Sequence, residues 1–91
     1  MDDLERDRKC RSIRVRSKRR GMRELDLLIG RFVEERLEYL SDAELEHLDA
    51  LLFEIDVSVF DWITGMADCP EQYGALVAEI RRVSMMDAKP G

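Results

Sequence analysis

Apolar residues recur at helical spacing through the stretch RGMRELDLLIGRFVEERL, and no part of the chain alternates apolar and polar residues like a half-buried strand. At about 100° per residue, one broad arc of this stretch collects most of its apolar side chains: Met22, Leu25, Leu28, Ile29, Phe32, Val33 and Leu37. A helix with such an arc has to bury it against other elements, and without strands those elements are helices. The pattern therefore predicts an all-α fold.

The first predicted helix covers residues 2–20, where helix formers are frequent and helix breakers are few. Its apolar residues do not line one face, so we expect it to pack loosely. A basic cluster closes it and would complement the negative end of the helix dipole: Lys18, Arg19 and Arg20. Gly21 follows, and glycine readily takes the left-handed conformation that ends many helices.

Local signals place three more helices after the one that begins near Met22. In LSDAEL, Ser41 and Glu44 form a predicted capping box, which marks the start of a third helix. Ser58 is the expected cap of a short fourth helix in SVFDWITG, which Gly65 ends. Pro70 occupies a favoured first-turn position of a fifth helix.

The length of 91 residues suits one small domain. We predict a single domain over residues 1–91, built as a small five-helix bundle with short connections. Its core is expected over about residues 10–83, and residues 84–91 are expected to form a flexible tail.

Charge is distributed unevenly along the chain. Residues 1–23 carry ten basic and four acidic residues, a net charge of +6, whereas residues 24–91 carry five basic and sixteen acidic residues, a net charge of −11. A basic first helix could bind nucleic acid, or it could pair with the acidic body of the same domain. The net charge of −5 favours the second interpretation, because a net-acidic domain is a poor general binder of nucleic acid.

The second helix also has a solvent-facing arc. If the helical twist persists through Gly21, Arg20 and Glu24 become neighbours that point at solvent, with Leu27 beside them. Asp26 falls near the edge of the apolar arc, where a carboxylate needs a partner. Trp62 suits either the core or a contact with a partner protein.

The sequence predicts no catalytic residue and no metal site. His47 is the single histidine and is expected at the surface, and the two cysteines, Cys10 and Cys69, lack the spacing of metal ligands. Neither a P-loop nor a dinucleotide fingerprint is present. We therefore expect that the protein is not an enzyme.

No apolar run approaches the roughly 18 residues that a membrane span requires. The first ten residues, MDDLERDRKC, lack a hydrophobic signal core. These features predict a cytoplasmic bacterial protein, or a mature organelle protein, that acts without a membrane.

The run RRGMRELD resembles the signature of the succinate dehydrogenase flavinylation factors, a family of small assembly proteins. Its Arg-Gly-x-x-Glu motif is met by Arg20, Gly21 and Glu24. That family also has a short helix with a Phe-Asn/Asp-Trp element, which VFDWITG resembles at Phe60, Asp61 and Trp62. The resemblance covers roughly residues 10–83, although the N-terminal arm is more basic here and DVS replaces a more acidic loop.

The resemblance implies a five-helix bundle and a chaperone-like function. Such a protein binds the flavoprotein subunit of succinate dehydrogenase, or in some bacteria of fumarate reductase, and promotes covalent attachment of FAD to a histidine of that subunit. The chain itself would bind no cofactor tightly, because FAD is attached to the partner. The motif surface would engage the flavoprotein through Arg20, Gly21 and Glu24. The same surface is expected to include four further residues: Arg19, Asp26, Leu27 and Trp62.

Two other functions compete with this one. A small nucleic-acid-binding or toxin-neutralising module would use the basic first helix, and it would bind with a steep salt dependence. A small enzyme or FAD carrier would need to hold the pyrophosphate, but the sequence has no glycine-rich loop for that purpose.

Overall fold

The fold is all-α, as the sequence predicts. A computed structural model describes residues 1–18 and 20–87, with side chains described through residue 84. Within this part of the chain there are five α-helices and no strand. The helices are α1 (Asp3–Arg16), α2 (Arg23–Arg36), α3 (Asp42–Leu51), α4 (Asp56–Thr64) and α5 (Gly74–Asp87). Short 3-10 turns at Leu37–Tyr39 and Glu71–Tyr73 follow α2 and precede α5.

The core forms around α2, which packs against α1 and α5. The predicted apolar arc is confirmed, because five of its members are buried and Met22 and Leu28 pack partly buried against them. Leu45, Leu48 and Leu51 add to the core from α3. The buried arc fixes which side of α2 remains exposed to solvent.

The start of α3 is confirmed in detail. The Glu44 N–H donates to the Ser41 hydroxyl over 3.1 Å, and the Ser41 N–H donates to the Glu44 carboxylate over 2.7 Å. Leu40 and Leu45, which flank this capping box, are both buried. The reciprocal bonds satisfy two backbone donors that the helix itself leaves unpaired.

The predicted end of the first helix is wrong. Helix α1 ends at Arg16, so its last-turn basic residues are Arg14 and Arg16, and neither Lys18 nor Arg20 belongs to it. Ser17 terminates it, with its N–H bonded to Ile13 O and its hydroxyl bonded to Arg14 O. These bonds satisfy carbonyl groups of the last turn of α1. The helix therefore ends at Arg16, four residues before the predicted end at Arg20.

The predicted cap of the fourth helix is also wrong. Ser58 lies inside α4, and Ile55 occupies the N-cap position without a side-chain hydrogen bond. The helix begins at Asp56, and the carboxylate of this residue contacts the Arg20 guanidinium. The predicted end is confirmed, since Gly65 adopts a left-handed conformation with φ +80°.

Helix α5 begins later than expected and extends further. Pro70 precedes a 3-10 turn instead of an α-helical first turn, and Gly74 is the first residue of α5. Residues 84–87, predicted to belong to the flexible tail, continue this helix, and residues 88–91 lie outside the described residues.

Charge pairs join the basic α1 to the acidic α3. Arg6 Nη1 lies 3.1 Å from Asp42 Oδ1, and Lys9 and Arg16 both pair with Asp49. Burial alone would raise the pKa of Asp49, but hydrogen bonds from Arg16 and Lys9 outweigh it and hold the pKa of this carboxyl below its usual value. Much of the positive charge that could have faced nucleic acid is therefore used within the domain.

Candidate functional site

Gly21 lies in the connection between α1 and α2 and is exposed to solvent. Its φ of +93° belongs to the left-handed region, which side chains rarely adopt. This conformation interrupts the helical twist, so Arg20 and Glu24 are not neighbours on one helix. The expectation that both side chains point at solvent is wrong for Arg20.

The Arg20 side chain points inward and is only 8% exposed. Its Nε and Nη2 atoms lie 3.0 and 2.8 Å from Asp56 Oδ1, at the start of α4. Nη1 also donates to Arg16 O over 3.3 Å, at the end of α1, and Nη2 to Glu54 O over 3.4 Å. The guanidinium thus bonds the α1–α2 connection to the end of α1 and to the start of α4. We call this set of contacts the Arg20 clamp.

Asp26 holds the backbone of the same connection. Its Oδ1 atom accepts a hydrogen bond of 2.8 Å from the Arg20 N–H. The sequence indicated that this half-buried carboxylate needs a partner, and the backbone provides it. Because Arg20 is held through both its side chain and its N–H, the position of Gly21 beside it is fixed.

Three residues next to the Arg20 clamp face solvent. Gly21, Glu24 and Leu27 are exposed and follow one another at a spacing of three, which places Glu24 and Leu27 on one side of α2. Leu27 is 67% exposed, although leucine side chains are more often buried. Glu24 forms no ion pair with any residue whose side chain the structure describes. These three residues are called the Gly21 surface below.

Trp62 lies on α4, the helix that begins at Asp56. It lies six residues after Asp56, about 9 Å further along the α4 axis. Its half-buried ring stacks on Tyr73, with the ring centroids 5.8 Å apart, and packs against the core. Arg19, the remaining predicted site residue, lies outside the described residues.

Sequence reasoning missed Asp56, the partner of Arg20. The two residues are 36 positions apart, and only the packing of α4 beside the α1–α2 connection brings them together. An acid at the first position of a helix is already accounted for by its favourable interaction with the helix dipole. The sequence therefore gave no sign that Asp56 also contacts Arg20.

Groups that could perform chemistry are scattered across the described residues. No cluster of three or more potential metal ligands occurs among them, His47 is exposed, and Cys10 is buried in the core. Burial raises the pKa of the Cys69 thiol, which disfavours the reactive thiolate form. In the same part of the chain, every helix is too short or too polar to cross a bilayer.

The protein is a small helical domain that presents the Gly21 surface to solvent. A family model described as flavinator of succinate dehydrogenase matches residues 11–84. The chain belongs to this family, and the resemblance seen in RRGMRELD is confirmed.

Named relatives agree with the family model. The chain is 33% identical over 84 residues to the FAD assembly factor SdhE of Legionella pneumophila, covering 89% of this chain and 96% of that protein. It is 37% identical over 68 residues to the protein of the same name in Coxiella burnetii, covering 72% and 82%. The mitochondrial succinate dehydrogenase assembly factor 2 of Dictyostelium discoideum is 36% identical over 64 residues, or 70% of this chain. The match spans 45% of that relative, so the chain covers less than half of its length.

Proposed function

We propose that this chain binds the flavoprotein subunit of succinate dehydrogenase and promotes covalent attachment of FAD to that subunit. Membership of the flavinator family supports this function. The structural observation that supports this function is the exposed Gly21 surface. The Arg20 clamp and Asp26 hold this surface in one position. The flavoprotein subunit of fumarate reductase is a second candidate partner, to which FAD would be attached in the same way.

The proposed mechanism is differential binding, not catalysis by this chain. The new bond joins a carbon of the flavin to a histidine nitrogen of the partner; a C–H and an N–H bond break, two protons leave and the flavin takes up the two electrons. The nucleophile and the oxidant therefore both lie outside this chain. It would favour a flavoprotein conformation in which histidine and flavin are held in reacting geometry. Its effect on the rate then depends on how much more tightly it binds that conformation than the others.

Each residue of the Gly21 surface has a distinct role in this mechanism. Glu24 offers a carboxylate for charge-assisted hydrogen bonds with the partner. Gly21 allows close approach of the partner's backbone, because an ideal Cβ at this position has no neighbour within 4 Å and would point into open space. Leu27 adds apolar contact. Arg20 acts indirectly, since its guanidinium is bonded to Asp56 and orients Gly21.

The cofactor remains with the partner in this proposal. FAD is bound and finally attached to the flavoprotein, and this chain holds no flavin tightly. Titration of FAD with the purified chain would then leave flavin fluorescence unchanged at micromolar concentrations. Quenching that saturates at one equivalent would instead indicate an FAD carrier.

The test uses cells that lack their own flavinylation factor and express this chain as Glu24→Ala or Gly21→Arg. Covalent flavin on the flavoprotein subunit is read as fluorescence in a denaturing gel. The matched control is Glu35→Ala, which removes an exposed acid from the same helix about 16 Å away. Circular dichroism of each purified variant reports whether the domain is folded.

We expect the wild-type chain and Glu35→Ala to restore covalent flavin, and the two Gly21-surface variants to restore much less of it. Gly21→Arg combines steric obstruction with backbone strain at φ +93°, so Glu24→Ala is the cleaner test. Full flavinylation with folded Glu24→Ala would contradict the role given to this surface.

A further inference from the structure

A groove of about 410 Å³ runs between the end of α1 and the part of α2 from Asp26 to Glu34. This volume lies in the range that accommodates a small ligand or several side chains. Its floor includes the buried Ser17 and Val33, and Leu27 lies on its edge. Because Leu27 belongs to both features, the groove is continuous with the Gly21 surface.

Gly30 keeps this groove open. It lies in the interior of α2, where glycine costs roughly 0.5–1 kcal/mol relative to alanine. An ideal Cβ at Gly30 would have no neighbour within 4 Å, so core packing does not require the glycine. Any larger side chain at this position would occupy the groove. The glycine thus weakens the helix and leaves space on its surface.

The rim of the groove carries positive charge from the last turn of α1 and from the connection that follows it. Arg14 and Lys18 line it, and neither forms an ion pair with a residue whose side chain the structure describes. This distinguishes them from Arg6, Lys9 and Arg16, which pair with acids of α3. Arg14 and Lys18 therefore offer cations to an outside group at this groove.

Two acids of α2 line the groove too, Asp26 and Glu34, and they face three cations of the lining, Arg14, Lys18 and Arg31, which leaves a net charge of +1. The Asp26 carboxylate accepts the N–H of Arg20. Glu34 lies two turns further along α2, away from the connection. Near Lys18 and Leu27, the groove combines cations with an exposed apolar edge.

We propose that the groove between α1 and α2 receives a segment of the flavoprotein partner that carries a carboxylate beside an apolar side chain. The carboxylate complements Arg14 and Lys18, and the apolar side chain lies over Gly30 against Leu27 and Val33. This inference rests on the proposed function, because it identifies a second part of the same docking surface.

The test fills the groove without disturbing the helix. Gly30→Leu places a side chain in the groove and replaces a poor helix former with a good one. Gly74→Leu is the matched control, because Gly74 is also helical and free of neighbours within 4 Å, but lies on α5 outside the groove. Affinity for the purified flavoprotein is measured by calorimetry, and thermal unfolding reports the stability of each variant.

We expect Gly30→Leu to unfold at the same temperature as the wild type or higher, yet to bind the flavoprotein about tenfold more weakly or worse. Gly74→Leu should bind like the wild type. The double variant Arg14→Glu, Lys18→Glu tests the rim without a change at Gly30. It should bind more weakly and with a smaller salt dependence.

The two proposals fail in different ways. If Gly30→Leu and the rim variant both bind with wild-type affinity while Glu24→Ala does not, the groove proposal is wrong and the proposed function stands. If the wild-type chain does not bind the flavoprotein at all, the proposed function fails and the groove proposal fails with it.

Discussion

The Arg20 clamp makes a specific prediction about stability. Replacement of Asp56 by alanine removes the carboxylate that faces the Arg20 guanidinium, a cation that is 8% exposed in the wild type, and leaves it with only backbone carbonyls as partners. The domain should remain folded but become less stable. Asp56→Asn keeps an oxygen acceptor at the same place and should cost less.

The size of the loss follows from the burial of the two groups. Removal of one partner from a fully buried ion pair costs about 3–5 kcal/mol, whereas exposed pairs contribute roughly 0–1 kcal/mol. Arg20 is nearly buried but the Asp56 side chain is 28% exposed, which places this pair between the limits. We expect a loss of about 2 kcal/mol for Asp56→Ala. In a domain of this size, that corresponds to a fall in Tm of about 10–15 °C.

A double-mutant cycle separates the pair from its surroundings. The free energy of unfolding in urea is measured for the wild type, Asp56→Ala, Arg20→Met and the double variant. Because the two groups are in contact, the double variant should lose less stability than the sum of the single variants, by about 1–2 kcal/mol. Additivity to within about 0.3 kcal/mol would refute the clamp.

Three further changes test the account of stability. Gly21→Ala should destabilise the domain by about 1–2 kcal/mol because of its φ of +93°, whereas Gly74→Ala, at a helical φ, should leave stability unchanged or slightly raised in the same urea experiment. Ser41→Ala removes the capping box of α3 and should cost about 1 kcal/mol; an unchanged urea midpoint would show that the box adds nothing. The α1 cations lower the pKa of the Asp49 carboxyl in the folded state. This carboxyl therefore stabilises the domain fully at pH values above the ordinary Asp pKa of about 3.9. The contribution is lost as the pH falls through the folded-state pKa. Asp49→Asn should therefore reduce the loss of stability between about pH 5 and pH 2, whereas Asp68→Asn, at an exposed acid, should not.

Features encoded by neighbouring residues could be predicted from the sequence. The capping box of Ser41 and Glu44 lies within four residues, and the left-handed Gly65 follows directly from the helix that it ends. The apolar arc of α2 is a property of one segment. In each case the stabilising contact is local or is set by helical geometry alone.

Features that depend on distant residues could not be predicted. The direction of the Arg20 side chain is decided by Asp56, and the start of α4 at Asp56 involves the same contact. The groove over Gly30 exists only because the end of α1 packs beside α2. The sequence identified Gly21 and Glu24 as members of a motif, but the fold decides which motif residues face outward.

The most direct test of the central claim reconstitutes the reaction with purified components. The flavoprotein subunit without covalent flavin is mixed with FAD, with and without this chain, and covalent flavin is followed over time by fluorescence in denaturing gels. We predict that the wild-type chain accelerates attachment, that Glu24→Ala does so far less, and that intact mass spectrometry finds no flavin on the chain itself. An unchanged rate with the wild-type chain bound to the flavoprotein, or flavin covalently attached to this chain, would contradict the account.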